Sequence, residues 1–171
     1  GFYLEFGMET GVTAVGVDPS GRIWLLGRLL ADGTGWWIFQ LLDTVGNPTD
    51  NRALTFPGYG FETTIPTAMA FQPDGNVLLG GWGKTGSPDF FASMAVARIL
   101  GSTLNLDPTF GGGGTGELVI TDFESAYLRA IAFQPDPSGI ALNVPASAGK
   151  HTVERLTLTP DRLRVRYEIT A

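Results

Sequence analysis

Cysteine is absent from this 171-residue chain. That excludes disulfides, thiol catalysis and cysteine-based metal sites, and it leaves the compartment undecided. Histidine occurs once, at His151. One imidazole cannot supply the several ligands that zinc takes. No Gly-x-Ser-x-Gly elbow accompanies it for a catalytic triad, so a structural or surface role is expected. Lysine occurs only at Lys84 and Lys150, and the net charge is −6. A nucleic-acid binder needs a basic face to displace counterions from phosphate, and the sequence offers none. Anionic membrane surfaces are disfavoured for the same reason. No apolar run reaches the roughly 18 residues of a membrane-spanning helix, and no signal peptide is visible. The chain starts at Gly1 rather than Met, which reads as a fragment or a processed chain.

Turn formers and apolar residues are what the chain has in quantity. There are 24 glycines and 11 prolines, and 43% of the residues are hydrophobic, with 11 Phe, 4 Tyr and 4 Trp. Short apolar runs between turn residues predict an all-β domain of many short strands. The length suits one domain with a real core.

An internal repeat organises these runs. Ala14-Val15-Gly16-Val17-Asp18-Pro19-Ser20-Gly21 aligns with Ala68-Met69-Ala70-Phe71-Gln72-Pro73-Asp74-Gly75. Both align with Ala130-Ile131-Ala132-Phe133-Gln134-Pro135-Asp136-Pro137-Ser138-Gly139, which carries extra length in its turn. Each segment is a short strand entering a turn in which Pro presets φ and Gly accepts a positive φ. A second strand follows at 23–26, 77–79 and 140–142, and a third at 36–42, 94–100 and 151–158. Residues 91–100 also have good helix propensity, but agreement among the copies decides for strand. A fourth strand is expected at 61–65 and at 117–121, each after a Gly-rich turn.

The repeats then run over about 13–66, 67–128 and 129–171 of a single domain, the last completed by 1–12. Pro19 and Pro73 are 54 residues apart, and the residues after Pro135 and before Pro19 together make another 54. On this spacing Phe2-Tyr3-Leu4-Glu5-Phe6 takes the fourth-strand place of the third copy.

Ala70-Phe71-Gln72-Pro73-Asp74-Gly75-Asn76-Val77-Leu78-Leu79-Gly80-Gly81, with Ala95-Val96-Ala97-Arg98-Ile99 and Leu106-Asp107-Pro108-Thr109-Phe110-Gly111, resembles the delta-sixty repeat, a bacterial repeat of just under sixty residues. The resemblance is strong in copy two and fair at the start of copy three. It is weak in copy one, where Val17-Asp18-Pro19-Ser20-Gly21 replaces Phe-Gln-Pro-Asp-Gly, and copy three lacks Asp-Pro-Thr-Phe-Gly. The resemblance implies a β-propeller of four-stranded blades, three in this chain, and a secreted, periplasmic or cell-surface setting. It implies no enzymatic activity. Propeller rings typically have four to eight blades, so a homodimer closing a six-bladed ring head to tail is expected. A β-trefoil is the alternative fold, and excision from a longer array is a third possibility.

Candidate site residues are few. Gly111-Gly112-Gly113-Gly114-Thr115-Gly116 lacks the Lys and the following helix of a phosphate loop, and reads as a turn. Asp18, Asp74, Asp107, Asp136 and Asp161 sit where Asp stabilises turns. Asp122 and Glu124 are a weak calcium candidate, without the spacing of a known calcium loop. Trp24, Trp36, Trp37 and Trp82 are the aromatic candidates. Trp36 and Trp37 are adjacent and must face opposite sides of a strand, so one of them is available to a neighbouring sheet or a partner. Arg162, Arg164 and Arg166 alternate along one face of a terminal strand, as edge protection or as an anion site.

These features predict a non-enzymatic binding or scaffolding module with a protein or glycan ligand, no cofactor and no membrane insertion. The alternatives are an architectural part of a larger surface protein and a carbohydrate-active enzyme using paired carboxylates.

Overall fold

The computed structural model describes residues 10–31, 34–56, 59–85, 92–111, 113–120, 127–133, 140–145, 151–158 and 163–168, the last three segments as backbone. Three tight hairpin turns set its plan. In turns 18–22, 43–47 and 72–76 the first amide donates to the fifth carbonyl, at 3.0, 2.8 and 2.8 Å. The amide of the fourth residue donates back to the first carbonyl. That fourth residue is Gly21, Gly46 or Gly75, at φ of +86°, +92° and +85°. A tight turn ended by one left-handed residue is a favoured hairpin connection, and glycine enters that region without a Cβ clash. An aspartate side chain caps each turn by accepting backbone amides: Asp18 from Ser20 and Arg22, Asp43 from Val45 and Asn47, Asp74 from Asn76.

The chain is all-β, and the described residues contain no helix. Among the described residues twelve strands make three open, antiparallel, four-stranded sheets, each in chain order. The first holds β1 (Thr10–Val17), β2 (Ile23–Ala31), β3 (Thr34–Leu42) and β4 (Pro48–Leu54). The second holds β5 (Phe61–Phe71), β6 (Val77–Thr85), β7 (Ala92–Ile99) and β8 (Glu117–Ile120). The third holds β9 (Ala130–Phe133), β10 (Ile140–Pro145), β11 (His151–Leu158) and β12 (Leu163–Glu168).

The sheets pack face to face through two hydrophobic layers. Trp24, Leu26, Trp37, Phe39 and Leu41 of the first sheet meet Val77, Leu79, Ala95, Ala97 and Ile99 of the second. Trp24 stacks on Phe39 at 5.1 Å and meets Phe71 edge-on at 6.2 Å. The opposite face of the second sheet, with Ala68, Leu78, Met94, Val96 and Ile120, packs on Leu128 and Ile131 at the start of the third. The second sheet is therefore covered on both sides. This explains β7, whose residues Ala92 to Ala97 are all buried. A strand buried on both faces loses the alternating pattern, which is why 91–100 also reads as a helix from propensity.

Two strand expectations change. Residues 61–65 begin β5 of the second sheet, pairing with β6. The place beside β3 belongs to β4, because the chain reverses at once in turn 43–47. In the third sheet the fourth place belongs to β12, which pairs with β11. Phe2-Tyr3-Leu4-Glu5-Phe6 lies outside the described residues.

Candidate functional site

The repeat alignment gives every sheet two distinguishable faces. Positions Ala14 and Gly16 correspond to Ala68 and Ala70, and positions Val15 and Val17 to Met69 and Phe71. A side chain at Gly16 would run into Phe71 and Met69. One at Gly80 would meet Leu128 and Ile131. The face bearing the small first-strand residues thus packs on the next sheet, and is here called downstream. The face bearing Met69 and Phe71, or Ile131 and Phe133, receives the previous sheet, and is called upstream.

The upstream face of the first sheet is open. Val12, Val15 and Val17 are 58%, 65% and 59% exposed. At equivalent positions Met69, Phe71 and Phe133 are half-buried and Ile131 is buried. Register places four rows on the same face, Val17–Ile23–Leu42, Val15–Leu25–Gln40–Asn51, Val12–Gly27–Ile38–Ala53 and Thr10–Leu29–Trp36, and its exposure is greatest at the β1 valines, since Gly27 and Ile38 are buried. No charged residue stands in these rows. A bulge between Val12 and Ala14 widens β1 opposite Gly27. There an apolar groove of about 60 Å³ opens, lined by Val12, Leu25, Ile38 and Gln40.

A second cleft, of about 280 Å³, lies between turns 18–22 and 72–76 with Gly101 at its side. Its charged groups are already committed. The Asp18 carboxylate accepts from Ser20, from the Arg22 backbone and Nε, and from the Trp24 indole at 3.0 Å. Burial works to raise the Asp18 pKa, but the bonds from Ser20, Trp24 and Arg22 outweigh it and hold the group far below its ordinary 3.8. Arg22 Nη2 donates to the Gly101 carbonyl at 3.0 Å, tying the first sheet to the second.

Asp107 repeats this arrangement. It accepts from Thr109 N and Oγ1 and pairs with Arg98 Nε at 2.7 Å, and Arg98 lies over the Phe110 ring at 5.1 Å. Burial again opposes, and the Thr109 and Arg98 contacts again lower its pKa. Both clusters grow from an Asp-Pro-Ser/Thr triplet, at 18–20 and 107–109. That shared triplet was the sequence signal for them.

Glu117 differs. Burial alone pushes its carboxyl up to about 7. Such a value suits a general acid, but Glu117 is 3% exposed and lines neither cleft. Among the described residues no group of three or more His, Asp or Glu side chains is placed to hold a metal ion.

The aromatic candidates separate as adjacent strand positions must. Trp37 is fully buried, edge-on to Phe56 at 4.6 Å, and Trp24 is fully buried as well. Trp36 is half-buried in the open rows. Trp82 is half-buried and meets Tyr127 edge-on at 4.9 Å. Arg164 and Arg166 stand in β12, opposite Thr157 and Arg155. His151 opens β11 opposite Pro145. Arg162, Asp122, Glu124, Asp136 and Asp161 lie outside the described residues. Gly111, Gly114 and Gly116 all take positive φ in a turn that leads into β8, a strand. The open valine face was not singled out from sequence, because Val15 and Val17 occupy the same repeat positions as Met69 and Phe71 and nothing local distinguishes them.

No protein-family model matches the chain, and no curated protein is similar to it.

Proposed function

We propose that this chain is a non-enzymatic binding or scaffolding module of β-propeller type, acting through a sheet face rather than a catalytic cleft. The observation that carries this reading is the open upstream face. The same repeat positions are covered in the second and third sheets, so the face is built to be packed against. Exposed apolar surface of this kind marks interaction sites.

The propeller reading draws support from three successive four-stranded meanders packed face to face, whose first strands β1, β5 and β9 touch in series. It draws support also from the resemblance to the delta-sixty repeat, and the same stacking favours it over the β-trefoil. That resemblance also implies a secreted, periplasmic or cell-surface setting in a bacterium.

A protein partner fits better than a glycan. Sugars stack on exposed aromatic rings, whereas Trp24 and Trp37 are enclosed, Trp36 is half-buried at one end of the face, and its exposed residues are the valines of β1. Catalysis by paired carboxylates finds no support where Asp18 and Asp107 are committed to structural bonds. A glycan array together with a hydrolysis panel tests the reading. No bound glycan and no turnover is the expected result. Measurable hydrolysis would overturn it, and micromolar glycan binding would replace the protein partner with a glycan.

A further inference from the structure

The first sheet ends on β4, seven residues long, with β3 on one side and, among the described residues, no strand on the other. Asn51, Arg52 and Ala53 are exposed along it. An edge strand offers unpaired N–H and C=O groups to any other strand, and folded proteins blunt such edges. The second sheet does so by brevity, since its last strand, β8, has four residues. β4 is nearly twice as long. In an antiparallel pair the N–H and C=O of one residue point to the same side, alternately toward the partner strand and away from it. Both backbone groups of Asn51 are taken by side chains. Its N–H donates to Asp50 Oδ1 at 2.7 Å, and its C=O accepts from Arg52 Nη1 at 2.8 Å. Asp50 and Arg52 also form an ion pair with each other. The outward-pointing groups of the edge are thus those of Asn51, and the residues on either side of it close over both.

We propose that the Asp50–Arg52 pair is a clasp that keeps the edge of β4 from adding a strand of another copy of the chain. The two side chains are 30% and 45% exposed, and an ion pair this exposed contributes little to stability. As a cover it needs no distant partner. All its bonds run between adjacent or next-but-one residues, so forming them orders little chain. An incoming strand must break both backbone bonds to reach Asn51, and it offers only one donor and one acceptor in exchange. Asn51 is also the middle of Pro48–Leu54. What remains on either side is shorter than the roughly five or six residues of a common strand. Pro48 removes a further donor at the start of the edge.

Sedimentation velocity on the whole chain at about 100 µM tests this, with hydrogen exchange at the Asn51 amide in dilute solution as a second reading. Asp50→Ala combined with Arg52→Ala opens the clasp and leaves the net charge at −6, so a change in association does not come from net charge. The double variant should sediment as larger species than the wild type at the same concentration, with an unchanged circular dichroism spectrum. Its Asn51 amide should exchange at least about tenfold faster than in the wild type. Adding Asn51→Pro removes the outward donor, which β3 does not use, and should return the wild-type distribution. A double variant no more associated than the wild type overturns the proposal. So does association that Asn51→Pro leaves in place, or an Asn51 amide that exchanges equally fast in both chains. Should the double variant lose its β spectrum, Arg52→Met frees the Asn51 carbonyl and keeps the aliphatic stem. It is then read by sedimentation, and association no greater than in the wild type overturns the proposal in the same way.

Discussion

The Trp24 indole donates a hydrogen bond to the Asp18 carboxylate at 3.0 Å, joining the core of the first layer to the turn that begins it. The Asp18 side chain is 1% exposed and also pairs with Arg22 Nε at 2.7 Å. Removing it leaves a buried indole N–H, two turn amides and a guanidinium without their acceptor. Asp18→Ala should therefore cost about 2–4 kcal/mol, read as a lower urea midpoint at an unchanged slope.

The same carboxylate sets an acid limb. Its pKa is held below the ordinary 3.8, so ionisation stabilises the fold above that value. The contribution is lost as pH falls below about 4 toward the depressed native value. Asp107 acts with the same sign. Thermal unfolding followed from pH 7 to pH 2 should show a steep loss of melting temperature below pH 4. Asp18→Asn should start lower and fall less steeply.

Glu117 has the opposite sign. Its native pKa, near 7, lies above the ordinary 4.5. Below pH 4.5 both states are protonated and burial of this carboxyl carries no ionisation penalty. Between 4.5 and 7 the unfolded chain ionises first, so stability declines, and above 7 the penalty is complete. Glu117→Gln should stabilise the protein by about 2 kcal/mol at pH 8 and leave it nearly unchanged at pH 4. Denaturant midpoints at the two pH values check this. Equal effects at both would mean that the side chain keeps a polar partner.

Much of this architecture was legible because its punctuation is local. Pro-Asp-Gly and Pro-Ser-Gly fix turns within five residues, and strands 36–42 and 151–158 fall within or on β3 and β11. The turn at 43–47 escaped because it has no proline. Its Asp43 and Gly46 make the same backbone bonds without one, and missing it displaced the fourth strand to 61–65. The open face escaped for a different reason. Alternation tells which residues share a face, not whether a neighbouring sheet is there to cover it. Val15 and Met69 have the same local pattern and differ only in what packs on them.

Two glycines separate conformation from crowding. Gly46 sits at φ +92° in open space, while a Cβ at Gly101 would overlap the Gly75 carbonyl oxygen. Gly46→Ala meets only the left-handed penalty, roughly 1–2 kcal/mol. Gly101→Ala must push turn 72–76 away and disturb the Arg22 bond to its carbonyl, and should cost about 3 kcal/mol or more. Gly46→Asn should recover part of the first loss, since Asn tolerates that region; Gly101→Asn should recover none. Chemical denaturation of the four variants checks the ordering.

The polarity of the stack has its own test, independent of any partner. Val17 and Phe71 occupy the same repeat position, on the upstream faces of the first and second sheets. Val17 is 59% exposed, whereas Phe71 lies against Gly16 and meets Trp24 edge-on at 6.2 Å. If faces, and not positions within the repeat, decide burial, then one substitution has two outcomes. Val17→Asp, measured at submicromolar concentration, should change unfolding free energy by less than about 0.5 kcal/mol. Phe71→Asp places a charge inside the first hydrophobic layer and should cost about 3–5 kcal/mol. Comparable losses at the two sites would mean that the upstream face of the first sheet is already covered within one chain.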